Sequence, residues 1–303
     1  MRPISTIHAG FLLALASAAL FAIRPIFVKL VYADGVDPLT LIGLRMAFSV
    51  PIYAALLAYY LTHSERDTRL SLKLVVHISV LGLFGYFIAS YLDLLGLQTV
   101  SAQLGRLILY TYPTFAVILG ALWLGQRITL RTVLALWFTY LGVGIIFGHE
   151  LNEFGSNVTR GALWILASAL CFSVYLVGSK QYISQVGSKV FTCIALMAAS
   201  LGIFIYWGTT HFIQTGSLWP DEIPSTYSLT VILAIAIFCT VIPTFFTAAA
   251  IARIGSDRTG IVAMVGPGLT SVFAVSILGE AFTVYHLAGM LITVVGVALL
   301  PRN

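Results

Sequence analysis

"LASAALFAIRPIFVK", residues 15–29, is written again as "LASALCFSVYLVGSK", residues 166–180. At this offset of 151 the serine, the phenylalanine and the closing lysine coincide. Further along, "YPTFAVILGALWLGQRIT" (112–129) and "GPGLTSVFAVSILGEAFT" (266–283) align at an offset of 154. The chain of 303 residues therefore reads as two copies, 1–153 and 154–303.

Composition sets the medium in which both copies fold. Hydrophobic residues make up 59% of the chain and charged residues 9%, with a mean hydropathy of +1.00. A soluble domain carries about 25% charged residues, so this surface belongs in a bilayer. Apolar segments lie near 7–31, 38–62, 73–93, 99–124, 131–148, 160–182, 189–211, 228–251, 257–279 and 283–300, the fifth and tenth being short. Most reach the ~20 residues that span the hydrocarbon as helix, and none alternates with the period of a membrane β-barrel. Five spans per copy is an odd number, so the second copy enters the membrane upside down. The predicted fold is an all-α integral membrane protein, ten transmembrane helices forming two inverted five-helix repeats. A pseudo-two-fold axis in the membrane plane suits alternating access to a midplane site.

Basic residues set the orientation. One set of loops and termini holds Arg2, Arg66, Arg69, Lys73, Arg127, Arg131, Lys180, Lys189, Arg253, Arg258 and Arg302, and the other holds Arg160 alone. Both termini are expected in the cytoplasm, with the chain multi-pass in a bacterial inner membrane. The first apolar run is too long for a cleaved signal and should stay as a helix. Cys171, Cys193 and Cys239 lie in apolar runs without ligand spacing and read as small apolar residues.

"SAQLGRLILYTYPTFAVILGALWLGQRIT" and the second-copy "SILGEAFT" resemble the small-residue, proline and Leu-Gly-Glu-x-x-Thr pattern of the EamA family, in the drug/metabolite transporter superfamily. Lys29 and Arg45, in "FVK…LTLIGLRMAFSVP", resemble its first two helices, and "GLQTVSA" its third connection. The resemblance spans both copies and implies ten helices, cytoplasmic termini and secondary transport, often export, of small metabolites. The first copy departs from the pattern with Gln126 where the second keeps Glu280, which reads as structural.

Charges inside the spans mark the candidate site, because an arginine at a helix centre costs about 2.5–3.5 kcal/mol on insertion scales. Arg24, Arg45 and Arg106 each fall seven residues from one end of their spans, ~10 Å deep. Asp93 precedes the third connection by about as much as Arg106 follows it, so those two are expected to face one another. Tyr86, Ser90 and Asp93 share a helix face at i, i+4, i+7, as do Arg106, Tyr110 and Pro113. The second-copy equivalents are Thr240, Thr244 and Thr247, with Tyr175, Leu196 and Gly260 standing for the three arginines. Substrate binding is therefore assigned to Arg24, Arg45, Tyr86, Ser90, Asp93, Arg106, Tyr110, Tyr175, Thr240 and Thr244. Pro25, Pro113, Pro243 and Pro267 are the candidate hinges, Pro51 being a further in-span proline, and Pro113 and Pro267 are repeat equivalents. Lys29 is read as snorkelling, His77 and His286 as interfacial, and Gly144 with Gly148 as a small-residue pair for internal packing or a weak dimer.

Arginine suits bidentate capture of carboxylate or phosphate. The expected protein is a secondary transporter, an exporter of amino acids or other carboxylate- or phosphate-bearing metabolites, working as a monomer or weak dimer. A zwitterion would place its amine on Asp93, whereas a purely anionic substrate would leave Asp93 locked in an ion pair. The alternatives are transport of neutral or cationic compounds past structural arginines, and a channel. No HExxH, GxSxG or carboxylate cluster supports an enzyme, and no metal, cofactor or nucleic-acid partner is implied. Proton coupling would have to use Asp93 or a histidine.

Overall fold

The computed structural model describes residues 4–62, 70–125, 128–216 and 224–299. Arg2, Arg66, Arg69, Arg127, Arg302 and Gln126 lie outside the described residues. The spans are α1 (Ile7–Ala33), α2 (Pro38–Thr62), α3 (Leu72–Leu97), α4 (Ala102–Trp123), α5 (Leu130–Phe154), α6 (Asn157–Val186), α7 (Ser188–Thr215), α8 (Thr226–Ile254), α9 (Arg258–Leu278) and α10 (Val284–Leu299). Among the described residues nine of these are long and apolar enough to cross a membrane, and α10 is a shorter apolar helix. The sequence reading makes α5 short as well, but it runs for 25 residues. Its polar end stays helical because Glu150 is buried against partners on neighbouring elements. Leu12, Leu122, Trp137, Leu201 and Ile213 point outward, exposed as a lipid-facing surface requires.

The repeat is visible in the packing. α1 lies on α8 and its counterpart α6 on α3, α9 crosses α1 as α4 crosses α6, and α2·α7 and α5·α10 are self-equivalent pairs. Ser17 of α1 donates to the Pro243 carbonyl at 2.9 Å, and Ser168 of α6 to the Ala89 carbonyl at 2.6 Å. Those serines coincide at the 151 offset, and residues 89 and 243 at the 154 offset, so one hydrogen bond is made twice, each time between copies. Thr293 Oγ1 donates to the Thr139 carbonyl at 3.4 Å, 154 residues away, which puts this contact on the pseudo-two-fold axis. Gly142, Gly289 and Gly296 let α5 and α10 meet there, since a Cβ on Gly142 would lie 2.7 Å from the Thr293 nitrogen. Gly144 and Gly148 do not take part, for a Cβ on either meets nothing within 4 Å.

Breaks in the helices also come in pairs. α4 is interrupted at Tyr110–Thr111 ahead of Pro113, and α9 at Met264–Val265 ahead of Pro267. α3 widens into a π-helix at Leu83–Ile88 and α8 at Ile237–Val241, directly before Pro243. π-Segments inside α-helices concentrate at functional sites. Two irregularities have no partner among the described residues: α1 breaks at Ile23 ahead of Pro25 while α6 is one helix of 30 residues, and α9 has a further π-segment at Ala274–Leu278 that α4 lacks. Pro51 sits inside the unbroken α2.

Side-chain packing differs between the two ends. On the face of the 34–37, 98–101, 155–156 and 279–283 connections (the far face, opposite both chain ends), one apolar cluster joins Val31, Ile42, Leu97, Leu104, Ile146, Ile165 and Ile235. Toward the near face the core splits into smaller clusters, one around Ile78, Tyr175 and Phe191, another around Ala14 and Ile254, a third around Ala135 and Val297. The largest core lies in the far half, where a separate small cluster of Ile26, Ala102 and Ala274 joins α1, α4 and α9.

Candidate functional site

The arginines converge just beneath the far-face core. Arg24 opens the second segment of α1, because Pro25 lacks an N–H and cannot continue the helix before it. The Ile26 N–H turns to the Ile23 carbonyl at 3.1 Å, and the Ala22 carbonyl instead receives Thr270 Oγ1 of α9 at 2.9 Å. The break is thus held by the other copy.

Arg24 Nη2 lies 3.0 Å from Asp93 Oδ2 with little of either side chain exposed. This corrects the expected Asp93–Arg106 pair. Residues 93 and 106 share a depth, but the Arg106 guanidinium turns along its own helix onto the Tyr110 ring, 5.0 Å from its centroid. Arg45 is 3% exposed. Arg24, Arg106 and Arg45 all lie within electrostatic reach of Asp93. The Nε groups of Arg24, Arg45 and Arg106 are buried without a hydrogen-bond partner. Between Arg24, Pro25, Asp93, Leu97, Gly105, Arg106 and Leu109 is a cavity of ≈ 10 Å³, room for about one water.

The other expected binding residues lie elsewhere. Tyr86 and Tyr175 hydrogen-bond each other at 2.9 Å in the near half, away from the lining of this cavity. Tyr86 itself lies within the π-helix Leu83–Ile88, so the α-helical i, i+4, i+7 spacing does not carry over from it to Asp93. Ser90 is half-buried on α3 and does not line the cavity either. Thr240 and Thr244 donate back into their own helix, to Ile235 at 3.0 Å and Thr240 at 2.7 Å. Tyr110 donates to the Ala263 carbonyl at 2.6 Å, tying the break of α4 to that of α9.

Glu280 has a structural part, accepting from the Ala102 N–H at 2.7 Å and the Gln103 N–H at 3.4 Å, so it caps α4 from the other copy. Lys29 does not snorkel free; it lies within electrostatic reach of Glu280 and Glu150. Sequence reasoning passed over Ser17, Ser168 and Glu150. The serines carried a signal, since they are among the few polar residues that coincide between copies, whereas Glu150 carried none.

The sequence profile of the EamA-like transporter family matches twice, over residues 8–148 and 159–301. The chain belongs to the EamA-like transporter family. Relatives of this EamA-like protein include the uncharacterized transporter YcbK of Bacillus subtilis, 26% identical over 281 residues covering 93% of this chain and 89% of the relative. An uncharacterized transporter of Vibrio cholerae is 27% identical over 283 residues, 90% of this chain and 85% of its own. A crystal structure 20% identical in sequence superposes with a TM-score of 0.63 over 96% of both chains, a likeness of fold. The protein is an integral multi-pass membrane transporter and not an enzyme.

Proposed function

We propose that this EamA-like transporter moves a small metabolite carrying a carboxylate or phosphate, by alternating access, with Arg24, Arg45 and Arg106 as its anion site. The observation that carries the reading is the imbalance of buried charge. Three guanidinium groups share Asp93, which Arg24 engages, and Arg45 and Arg106 keep buried Nε groups with no protein acceptor. A desolvated guanidinium is costly, and an anion supplies the missing acceptors in bidentate geometry. The Arg24–Asp93 pair favours a purely anionic group over a zwitterion, whose amine needs a free Asp93.

The water-sized cavity is the closed form of this site. Expansion uses the paired breaks in α4 and α9 and the π-segments of α3 and α8, around which the repeats rock. The excess of basic residues on the near face supports a reading with both termini in the cytoplasm, which we take as that of a bacterial inner membrane. The large far-face core supports reading this as the state closed to the outside, and export is the direction assigned.

The test is thermal stabilisation of the purified protein by anionic, zwitterionic, neutral and cationic metabolites, beside Arg45→Ala and Arg106→Ala. Stabilisation by anions that vanishes in both variants is the expected result. Stabilisation by neutral or cationic compounds, unchanged in both, overturns the reading.

A further inference from the structure

At the near face the ends of α2 and α3, from the first copy, meet those of α6 and α7, from the second. One apolar cluster joins them, with Tyr60, Leu74 and Tyr182 packed around Ile78, Val186 and Val190. Cations and aromatic rings surround this junction. Lys189 Nζ, at the start of α7, lies over the Tyr60 ring of α2, 5.0 Å from its centroid, and Tyr59 meets Tyr60 edge-on at 5.6 Å. His77 of α3 stacks on Tyr182 of α6 with ring centroids 5.6 Å apart, and its Nδ1 donates to the Lys73 carbonyl at 2.6 Å.

The four helices bring positive charge to this end and no negative charge. α2, α6 and α7 contain no Asp or Glu, and α3 contains only Asp93, near its opposite end. The connection 63–69 adds Glu65 and Asp67 against Arg66 and Arg69, which cancel in charge. Lys73, Lys180 and Lys189 are exposed and make no ion pair among the described residues. Lys180 is the repeat of Lys29, and the comparison is informative. Lys29 lies within electrostatic reach of Glu280 and Glu150. The position equivalent to Glu280 is Gln126, so the lysine was kept in the second writing without that carboxylate. Orientation in the membrane calls for basic residues on this side, but not for rings beneath them. Arg131 of α5, basic and exposed on the same face, has no ring under it among the described residues.

We propose that this junction is a binding site for the headgroup phosphate of an anionic phospholipid, held by Lys73 and Lys189 with Lys180 at its rim. Each ammonium offers three donors and a full charge to the phosphate oxygens. A lipid fits better than soluble phosphate because apolar side chains are interleaved with the cations on α3. Leu72 precedes Lys73 and is 80% exposed, and Val76, one turn deeper beside His77, is 50% exposed, so an acyl chain has a surface directly below the headgroup. The bound phosphate bridges first-copy α3 to second-copy α7 on the face where the core is divided into small clusters. It therefore ties the two copies together where side-chain packing does so least.

The experiment is native mass spectrometry of the full chain in neutral detergent, titrated with phosphatidylglycerol, with phosphatidylcholine, or with phosphatidylglycerol in the presence of inorganic phosphate. Phosphatidylglycerol should be retained more tightly than phosphatidylcholine. Lys73→Ala and Lys189→Ala should each weaken its retention about fivefold, the effect of one cation at an anionic headgroup. Arg131→Ala, outside the four helices, and Arg106→Ala, in the arginine site, should leave retention unchanged. Equal retention of the two lipids overturns the site. So does a loss in Arg131→Ala as large as that in Lys189→Ala, which would mean diffuse surface charge. Displacement of the lipid by inorganic phosphate overturns the lipid assignment in favour of a soluble ligand. The two lysines are exposed, so their removal leaves the cores intact, and no readout involves a transported metabolite. A failed lipid site therefore leaves the arginine site to its own test.

Discussion

Replacing Asp93 with asparagine keeps the side-chain shape and removes the carboxylate shared by Arg24, Arg45 and Arg106. At 3.0 Å from Arg24, with both side chains mostly buried, the pair has a gross attraction of about 5 kcal/mol at an effective dielectric near 20. Orphaning one partner of a buried pair costs about 3–5 kcal/mol, so Asp93→Asn should be strongly destabilised. Arg24→Met removes a charge from a crowded cationic cluster and should cost less. The double variant should then be more stable than the sum of the two losses implies, with a coupling of about 2 kcal/mol. Thermal unfolding followed by tryptophan fluorescence is suitable, the chain having five tryptophans. Phosphate or a dicarboxylate should recover more stability in Asp93→Asn than in the wild type, because the variant has gained a net positive charge. Additive losses within about 0.5 kcal/mol would refute the ion-pair argument. Stabilisation by amino acids that vanishes in Asp93→Asn would refute the anionic assignment and restore the zwitterion.

Further outcomes follow from single contacts. Gly142→Ala should lower the melting temperature, through an overpacking cost of about 1–3 kcal/mol, as its Cβ meets Thr293 and the Gly289 carbonyl; Gly144→Ala, two residues on and open, should be neutral or stabilising, and the reverse order would sink the axis assignment. Ser168→Ala should cost about 1 kcal/mol, and Ser17→Ala more, because Ser17 also shares a hydrogen bond with Thr247 Oγ1 at 2.7 Å; unfolding of the two single variants measures the difference. Asp34, past the end of α1, accepts the hydroxyls of Ser225 and Ser228, which hold its carboxyl below the usual range. Its contribution is fully present above the unfolded-state value of about 3.9 and fades as pH falls through the lower folded value. The melting-temperature gap between wild type and Asp34→Asn should be constant at neutral pH and close only below about pH 4; a gap that closes near neutrality would contradict this.

Much of the architecture was legible because periodicity and duplication are one-dimensional properties. A serine that coincides in two apolar stretches marked the repeat, and although its role was not read from the sequence, both copies of it reach across to the other half. The depth of Arg24, Arg45 and Arg106 was readable from counting residues, and they do cluster. Their partners were not readable. Counting gives depth along a helix but not the azimuth of a flexible guanidinium, so Arg106 was expected on Asp93 and sits on Tyr110. The π-helix of α3 left no mark either. "LFGYFI" has no proline, and one widened turn was enough to take Tyr86 off the face of Asp93. Glu150 looked like a loop residue because a buried carboxylate at a helix end is paid for by partners far away in sequence.

The placement of those departures has a common logic. Ser17 and Ser168 anchor carbonyls that lie just past the π-segments of α8 and α3, on the copy opposite their own. A hydroxyl from a helix that is straight at that level bonds the first turn after each π-segment. Each copy therefore holds the irregular helix of the other, and neither can straighten alone. The paired breaks of α4 and α9 are tied by Tyr110 of α4 bonding Ala263 of α9, and the unpaired break of α1 is held by Thr270 of α9 bonding Ala22. The break at Pro25 has no counterpart in α6, and it presents Arg24; the π-segment at Ala274–Leu278 of α9 is likewise unmatched in α4. An anion site built on one copy alone accounts for why the second copy keeps threonines, a tyrosine and a glycine where the first keeps charge.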